Sequence, residues 1–273
     1  MSKITKQEAL DYHSSGKPGK IEVVPTKPYA SQRDLSLAYS PGVAEPCIKI
    51  AENKDDAYKY TSKANLVAVI TNGTAVLGLG NIGPLAAKPV MEGKGLLFKI
   101  FADIDVFDIE IDASDPELFI QTVKAISPTF GGINLEDIKA PEAFEIERRL
   151  KEELDIPIMH DDQHGTAIIS SAALLNALEL AKKSIDKVKI VVSGAGLSAL
   201  ACCMLYQTLG VKLENIFMFD SKGLLHKKRT DIDEMKALFA VHEKVLSIED
   251  AFKNADVFLG LSRAGLVSKQ MIS

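Results

Sequence analysis

Val188-Lys189-Ile190-Val191-Val192-Ser193-Gly194-Ala195-Gly196-Leu197-Ser198-Ala199 reads as a short buried strand that runs into a glycine turn and then a helix. The Gly-x-Gly-x-x-Ala spacing lets the main chain turn sharply and approach a pyrophosphate, which the free amides at a helix N-terminus are suited to hold. The next apolar run, Asn215 to Phe219, ends at Asp220, 24 residues past Gly196, where a carboxylate meets the ribose hydroxyls of a dinucleotide. Gly194, Ala195, Gly196, Leu197, Ser198 and Asp220 are therefore the expected cofactor contacts. The aspartate favours NAD, whereas Ser221 and Lys222 suit the 2′-phosphate of NADP, and the sequence leaves the two open.

The pattern continues on both sides of that turn. Ser198 to Leu209 and Asp231 to Phe239 read as helices and Val257 to Leu261 as a strand, an alternation that implies a parallel sheet with crossover helices. The fold class is α/β. Only about half the strands of a full doubly wound domain precede Ser273, so the expectation is a partial Rossmann-like domain, either minimal or truncated at its C-terminus. Thr166 to Lys183, rich in Ala and Leu, reads as a long helix at the joint between two domains, 1–163 and 164–273.

Before that joint, Lys6 to His13 reads as a short helix followed by an extended arm holding Pro18, Pro25 and Pro28. Leu66 to Ile70, the turn Asn72-Gly73 and Ala75 to Leu79 suggest a β-hairpin. Phe98 to Ala102, Val106 to Ile111, Thr129 to Asn134 and Ile156 to Met159 read as strands, and Pro116 to Ile126 and Pro141 to Glu153 as helices. Gly78-Leu79-Gly80-Asn81-Ile82-Gly83 is a second match to the glycine fingerprint. Pro84 and Pro89 should break the helix it would need, so it reads as a turn permitting close backbone packing, bordering a substrate pocket near Lys94.

Composition narrows the function classes. A 273-residue chain with 47% apolar and 25% charged residues suits two ordinary globular domains, and its net charge of −5, with no basic stripe, argues against nucleic acid as a partner. No apolar run is long enough to cross a bilayer, so no membrane association is expected. Cys47, Cys202 and Cys203 make no disulfide framework, read as small buried apolar residues, and fit a reducing cytoplasm.

The chemistry concentrates in two acidic segments, Asn134-Leu135-Glu136-Asp137 and His160-Asp161-Asp162-Gln163-His164-Gly165-Thr166. Hard divalent cations such as Mg²⁺ or Mn²⁺ take oxygen ligands and keep positions open for a chelating substrate, and Glu136, Asp137 and Asp162 are the candidate ligands. His160 and His164 are kept as structural histidines, because hard cations prefer oxygen. Taken singly, Glu136 and Asp137 would pass for the acidic first turn of a helix, Lys94 for a solvated lysine and Tyr39 for a tyrosine closing a turn.

Ser36 to Ala44, Met91-Glu92-Gly93-Lys94, Asn134 to Ile138, His160 to Thr166 and Val192 to Gly196, in that order, resemble the motifs of bacterial-type malic enzymes. The resemblance runs from about Pro18 to the last residue and implies a malic-enzyme-type α/β domain followed by the partial Rossmann-like one. It implies oxidative decarboxylation of malate to pyruvate and CO₂ with reduction of NAD or NADP and a divalent metal. By position, Tyr39 resembles the family's general acid, Lys94 its general base, and Glu136, Asp137 and Asp162 its metal ligands; a homodimer is also implied. Asp161 is a candidate for orienting Lys94. Two other readings remain: a non-catalytic oligomerisation or interaction module, and a plain 2-hydroxy-acid dehydrogenase, which would not need the three carboxylates.

Overall fold

Leu66–Thr71 (β1) lies at the centre of the first sheet, where an apolar, β-branched run is needed because strands occupy both of its edges. The computed structural model describes residues 4–76 and 78–272 and divides into two units, Met1–Met159 and His160–Ser273. The first unit opens with four short helices, Lys6–Ser14 (α1), Gln32–Ala38 (α2), Ala44–Glu52 (α3) and Ala57–Tyr60 (α4). After β1 come Pro84–Ala102 (α5), Asp105–Glu110 (β2), Pro116–Ile126 (α6), Gly132–Leu135 (β3), Glu142–Glu153 (α7) and Ile158–His160 (β4). The strand order is β2-β1-β3-β4, with β1 parallel to both β2 and β3.

Register decides which side chains meet. Val69 stands beside Asp108 and Asn134, and Thr71 beside Glu110, so these residues share one face of the sheet. Helix α5 covers that face: Lys88 ion-pairs with Asp108 and Glu110, and Lys94 with Glu136 just past the end of β3. Asp115 caps α6 by accepting the Glu117 amide, and α6 and α7 pack together and bury Phe119, Ile120, Val123, Ile146 and Leu150. From Ile4 to Asn65, by contrast, no described residue is buried.

The second unit holds Asp161–Ala181 (α8), Ile190–Ser193 (β5), Leu197–Thr208 (α9), Ile216–Asp220 (β6), Gly223–Leu224 (β7), Glu234–Ala237 (α10), Ile248–Phe252 (α11), Val257–Gly260 (β8) and Lys269–Ile272 (α12). Its sheet runs β7-β6-β5-β8, parallel except for β7. The α/β expectation therefore holds in both halves. β5 is buried throughout, as a strand covered on both faces must be.

Several local expectations fail, each for a physical reason. Among the described residues no hairpin follows β1: both of its edges are filled by parallel partners, and Val76 makes an isolated bridge to Gly80, with Leu77 outside the described residues. Phe98 to Ala102 is the last turn of α5, not a strand. Pro84 sits at the first helical position, where its missing N–H is no loss, and Pro89 is carried inside the helix, so the prolines do not break it. The first glycine motif thus opens the helix of a β1-α5-β2 unit. Ser127–Thr129 is a 3₁₀ turn ahead of a shorter β3, α8 begins at Asp161 rather than Thr166, and Asp231 to Phe239 is helical only over α10.

The acid pair beneath α5 ties stability to pH. Burial raises the Glu110 pKa to about 7, reinforced by a hydrogen bond with Asp108 and by its charge. Asp108 is held below the ordinary aspartate range although burial opposes this, because Glu110 and Lys88 both stabilise its charge. Folded Glu110 keeps its proton where the unfolded chain has lost it, so stability falls as pH rises from the ordinary glutamate range through about 7 and levels off above. Glu110→Gln is expected to flatten that slope and raise stability at pH 8 by roughly 1–3 kcal/mol. Urea midpoints at pH 5 and pH 8 measure it, and an unchanged slope refutes it.

Candidate active site

Glu136 and Asp137 follow β3 directly, and the ladder is prolonged by the Glu136 amide donating to Ile70 O at 2.9 Å. Buried Leu135 and Ile138 peg the segment on either side, with Asp137 between them in the left-handed region at φ 54°, a conformation aspartate tolerates better than most side chains. Ala75 donates to the Asp137 carbonyl at 3.0 Å and holds that turn. Asp162 is the second residue of α8, where the helix N-terminus favours a carboxylate. In the first unit one carboxylate oxygen each from Glu136 and Asp137 lie within 4.8 Å of each other.

Glu136 is held from two directions. Lys94 Nζ stands 3.0 Å from its Oε1, and Asn134 Nδ2 donates to its Oε2 at 2.8 Å. Asn134 is buried and its Oδ1 has no hydrogen-bond partner. Asn134 alternates with Glu136 at period 2, and that spacing is the sequence signal that places both on one face. His160 is fully buried with Nδ1 3.9 Å from Asp162 Oδ2, and Asp161 packs its carboxylate over Gly165, where any Cβ would come within 2.1 Å of Oδ1. That contact accounts for a glycine inside α8.

Tyr39 caps the C-terminus of α2, ahead of the cis Ser40–Pro41 peptide bond. Tyr39 is 78% exposed, and no hydrogen bond or ring contact among the described residues joins it to Lys94, Glu136 or Asp137. Within the first unit Lys94, Glu136 and Asp137 are thus brought together and Tyr39 is not joined to them, while Asp162 opens α8 in the second unit.

The two glycine turns differ in what their amides do. In the first, Ile82 and Gly83 both donate to Gly73 O, at 3.2 and 3.1 Å, Val76 donates to Gly80 O, and Gly73 lies so close to Gly83 that a Cβ would meet its carbonyl at 2.2 Å. That is close backbone packing. In the second, Gly194 donates to Phe219 O at 2.8 Å and is fixed at φ 116°, while the amides of Gly196, Leu197 and Ser198 form no hydrogen bond among the described residues. Nothing lies within 4 Å of where a Gly196 Cβ would project. The turn is an open cradle of amides at the N-terminus of α9, which fits a pyrophosphate.

Asp220 ends β6 with its carboxylate engaged by Arg229, whose Nη1 and Nη2 donate at 3.1 and 2.9 Å. Burial raises the Asp220 pKa, and the Arg229 hydrogen bonds with the Lys222 amide outweigh it and leave it below the ordinary range. No spacing rule pointed to Arg229. The buried pair Glu136 and Asp137 likewise fits a hard divalent cation: its donors are all oxygen, and holding two buried carboxylates together is unfavourable without a cation.

Comparison with known proteins agrees with this geometry. Residues 18–151 match the model "Malic enzyme, N-terminal domain" and residues 163–271 the model "Malic enzyme, NAD binding domain". The solved NAD-dependent malic enzyme of Thermotoga maritima superposes with a TM-score of 0.90 at 43% identity, over 99% of this chain and 72% of that one. This chain belongs to the malic enzyme family. Among curated malic enzymes, the NAD-dependent protein of Rhizobium meliloti is 59% identical and the NADP-dependent protein of Escherichia coli 58% identical, each over 98% of this chain. The chain spans only 35% of the length of those two malic enzymes.

Three substitutions test the site. Gly196→Ala, at an ordinary backbone angle and with open space for its methyl, should leave the urea midpoint unchanged yet weaken dinucleotide binding by about tenfold or more. Gly194→Ala should unfold the turn instead, because its Cβ would meet Leu261 O at 2.4 Å. Asn134→Ala should weaken Mn²⁺ binding by about 10–100-fold through loss of the hydrogen bond that aims Glu136, read by competition with a fluorescent chelator.

Proposed function

We propose that this chain carries out the oxidative decarboxylation of (S)-malate to pyruvate and CO₂, with reduction of NAD or NADP and a divalent metal, Mg²⁺ or Mn²⁺. In this reading 1–163 is the substrate and metal domain and 164–273 the dinucleotide domain. The observation that carries it is the pair of buried carboxylates Glu136 and Asp137, with oxygens within 4.8 Å of each other and the Lys94 amine 3.0 Å from Glu136. A plain 2-hydroxy-acid dehydrogenase has no use for such a cluster.

Glu136, Asp137 and Asp162 are the residues to hold the metal, and the Gly194 to Ser198 turn with Asp220 the residues to hold the cofactor. When bound, a divalent cation supplies Lewis acidity to the substrate oxygens and favours the neutral Lys94 amine, and the dinucleotide accepts hydride. Lys94 Nζ takes the C2 hydroxyl proton as hydride leaves C2. The resulting β-keto acid then breaks its C3–C4 bond, releasing CO₂ and leaving an enolate. Tyr39 returns a proton to C3, which a weakly acidic phenol suits. Asn134 and Lys94, by gripping both oxygens of Glu136, keep that carboxylate aimed.

A homodimer is the proposed assembly. Leu97, Ile100 and Phe101 form an apolar stripe at i, i+3 and i+4 on α5, with Phe101 81% exposed, and Leu37 and Tyr39 are uncovered as well. A second copy of this chain covers such a stripe in a closed two-fold arrangement. None of the helices described is long and apolar enough to cross a membrane, and the cysteines are all free, which supports placing the protein in the reducing cytoplasm.

Purified protein supplied with malate, Mn²⁺ and either dinucleotide should reduce the cofactor and release CO₂, and a chelator should stop both. Lys94→Met should lower kcat by about 10²-fold or more while Mn²⁺ binding persists. Turnover that survives the chelator, or a Lys94→Met variant of parental kcat, would falsify the assignment.

A further inference from the structure

Asp220 is the carboxylate that the dinucleotide turn offers to a ribose, yet most of its acceptor capacity is taken. An ionised carboxylate has about four lone-pair sites. Arg229 Nη1 and the Lys222 amide occupy Oδ1, at 3.1 and 2.8 Å, and Arg229 Nη2 occupies one site of Oδ2, at 2.9 Å. One site on Oδ2 remains, which is enough for a single hydroxyl donor.

The cations around it are committed too. Arg229 turns its other side to Asp231, with Nε 2.5 Å from Oδ1 and Nη2 3.1 Å from Oδ2, and only 10% of its side chain is exposed. Lys222 Nζ donates to the same Asp231 carboxylate at 2.7 Å, and Lys236 pairs with Asp233 at 3.2 Å. Two carboxylates and two cations thus balance at the end of β6, and a second ion pair stands beside them.

Resting on the reading of the Gly194 turn as the dinucleotide site, we propose that the Asp220–Arg229–Asp231 clamp sets the cofactor selectivity: with Asp220 ionised and Arg229 held between the two aspartates, the site is selective for NAD over NADP. A neutral ribose donates to the remaining Oδ2 site and disturbs nothing. A 2′-phosphate brings about −1.5 to −2 charges and no donor against an ionised aspartate whose neighbouring cations are spent. The same geometry makes the selectivity reversible. Neutralising Asp220 releases one edge of the guanidinium, a planar fork shaped for phosphate, at the place where the 2′-phosphate arrives.

Calorimetric titration of the 273-residue chain with NAD⁺ and NADP⁺ tests this. The parent should bind NAD⁺ tighter by about tenfold or more, and Asp220→Asn should move the ratio toward NADP⁺ by at least about tenfold. Arg229→Gln alone should weaken NADP⁺ further while NAD⁺ binding persists, and added to Asp220→Asn it should erase the NADP⁺ gain. Arg229→Gln also stands as the test where Asp220→Asn fails to fold by circular dichroism. A parent that prefers NADP⁺, or a ratio that neither variant moves, overturns the proposal and leaves the site reading intact. A folded parent that binds neither dinucleotide, or NAD⁺ binding indifferent to Gly196→Ala, overturns the site reading and the proposal with it.

Discussion

Two adjacent carboxylates, Glu136 and Asp137, with oxygens held within 4.8 Å of each other, are the constraint on which the first unit is organised. At an effective dielectric constant of about 20, two unit charges at that separation repel by about 3–4 kcal/mol. Such an arrangement persists only where the backbone leaves the charges no freedom to separate and a cation offsets them. The backbone condition is met by β3, whose pairing with β1 and buried Leu135 and Ile138 pin Glu136 and Asp137. Lys94 offsets one charge, and the remaining excess is what a divalent cation removes.

Helix α5 links this site to the rest of the sheet. Ala87, Met91 and Gly95 face the core; Lys88 reaches the edge strand, Lys94 the carboxylates, and Glu92 accepts the Lys20 amide of the arm at 2.9 Å. A single helix therefore fixes the amine of the site, the buried acid pair on β2 and the course of the N-terminal segment. The Asp108–Glu110 pair and the acidic site lie on the same sheet face beneath it, so the pH dependence of the one is a load on the scaffold of the other.

How legible this was depended on where the physics is local. α6, α7 and the β5-turn-α9 unit were readable because period, caps and glycine spacing are written within a dozen residues. The hairpin after β1 was misread because Asn72-Gly73 is a turn signal that says nothing about which partners fill the edges of β1, a fact set by β2 and β3 far along the chain. Phe98 to Ala102 misled for a related reason: a helix face uncovered in this chain is as apolar as a strand. In the site, the acids stood out by type and clustering, whereas Asn134 and Arg229 act through what they hold in place, and pairings across the fold leave no mark in spacing.

The two glycine turns carry this point furthest. They share the fingerprint, both follow a parallel strand and both open a helix, so neither motif nor local context separates them. What separates them is the use of their amides. The first spends the amides of Ile82 and Gly83 on Gly73 and that of Leu79 on Val76, whereas the second spends one, from Gly194, on anchoring the turn to β6 and leaves those of Gly196, Leu197 and Ser198 open. A phosphate needs unspent donors, and donors are spent according to whether another backbone segment comes near enough to take them. Gly73 comes that near to the first turn. At the second, the backbone that approaches does so only at Gly194, where Leu261 O lies against the position of its missing side chain, and Gly196 faces open space.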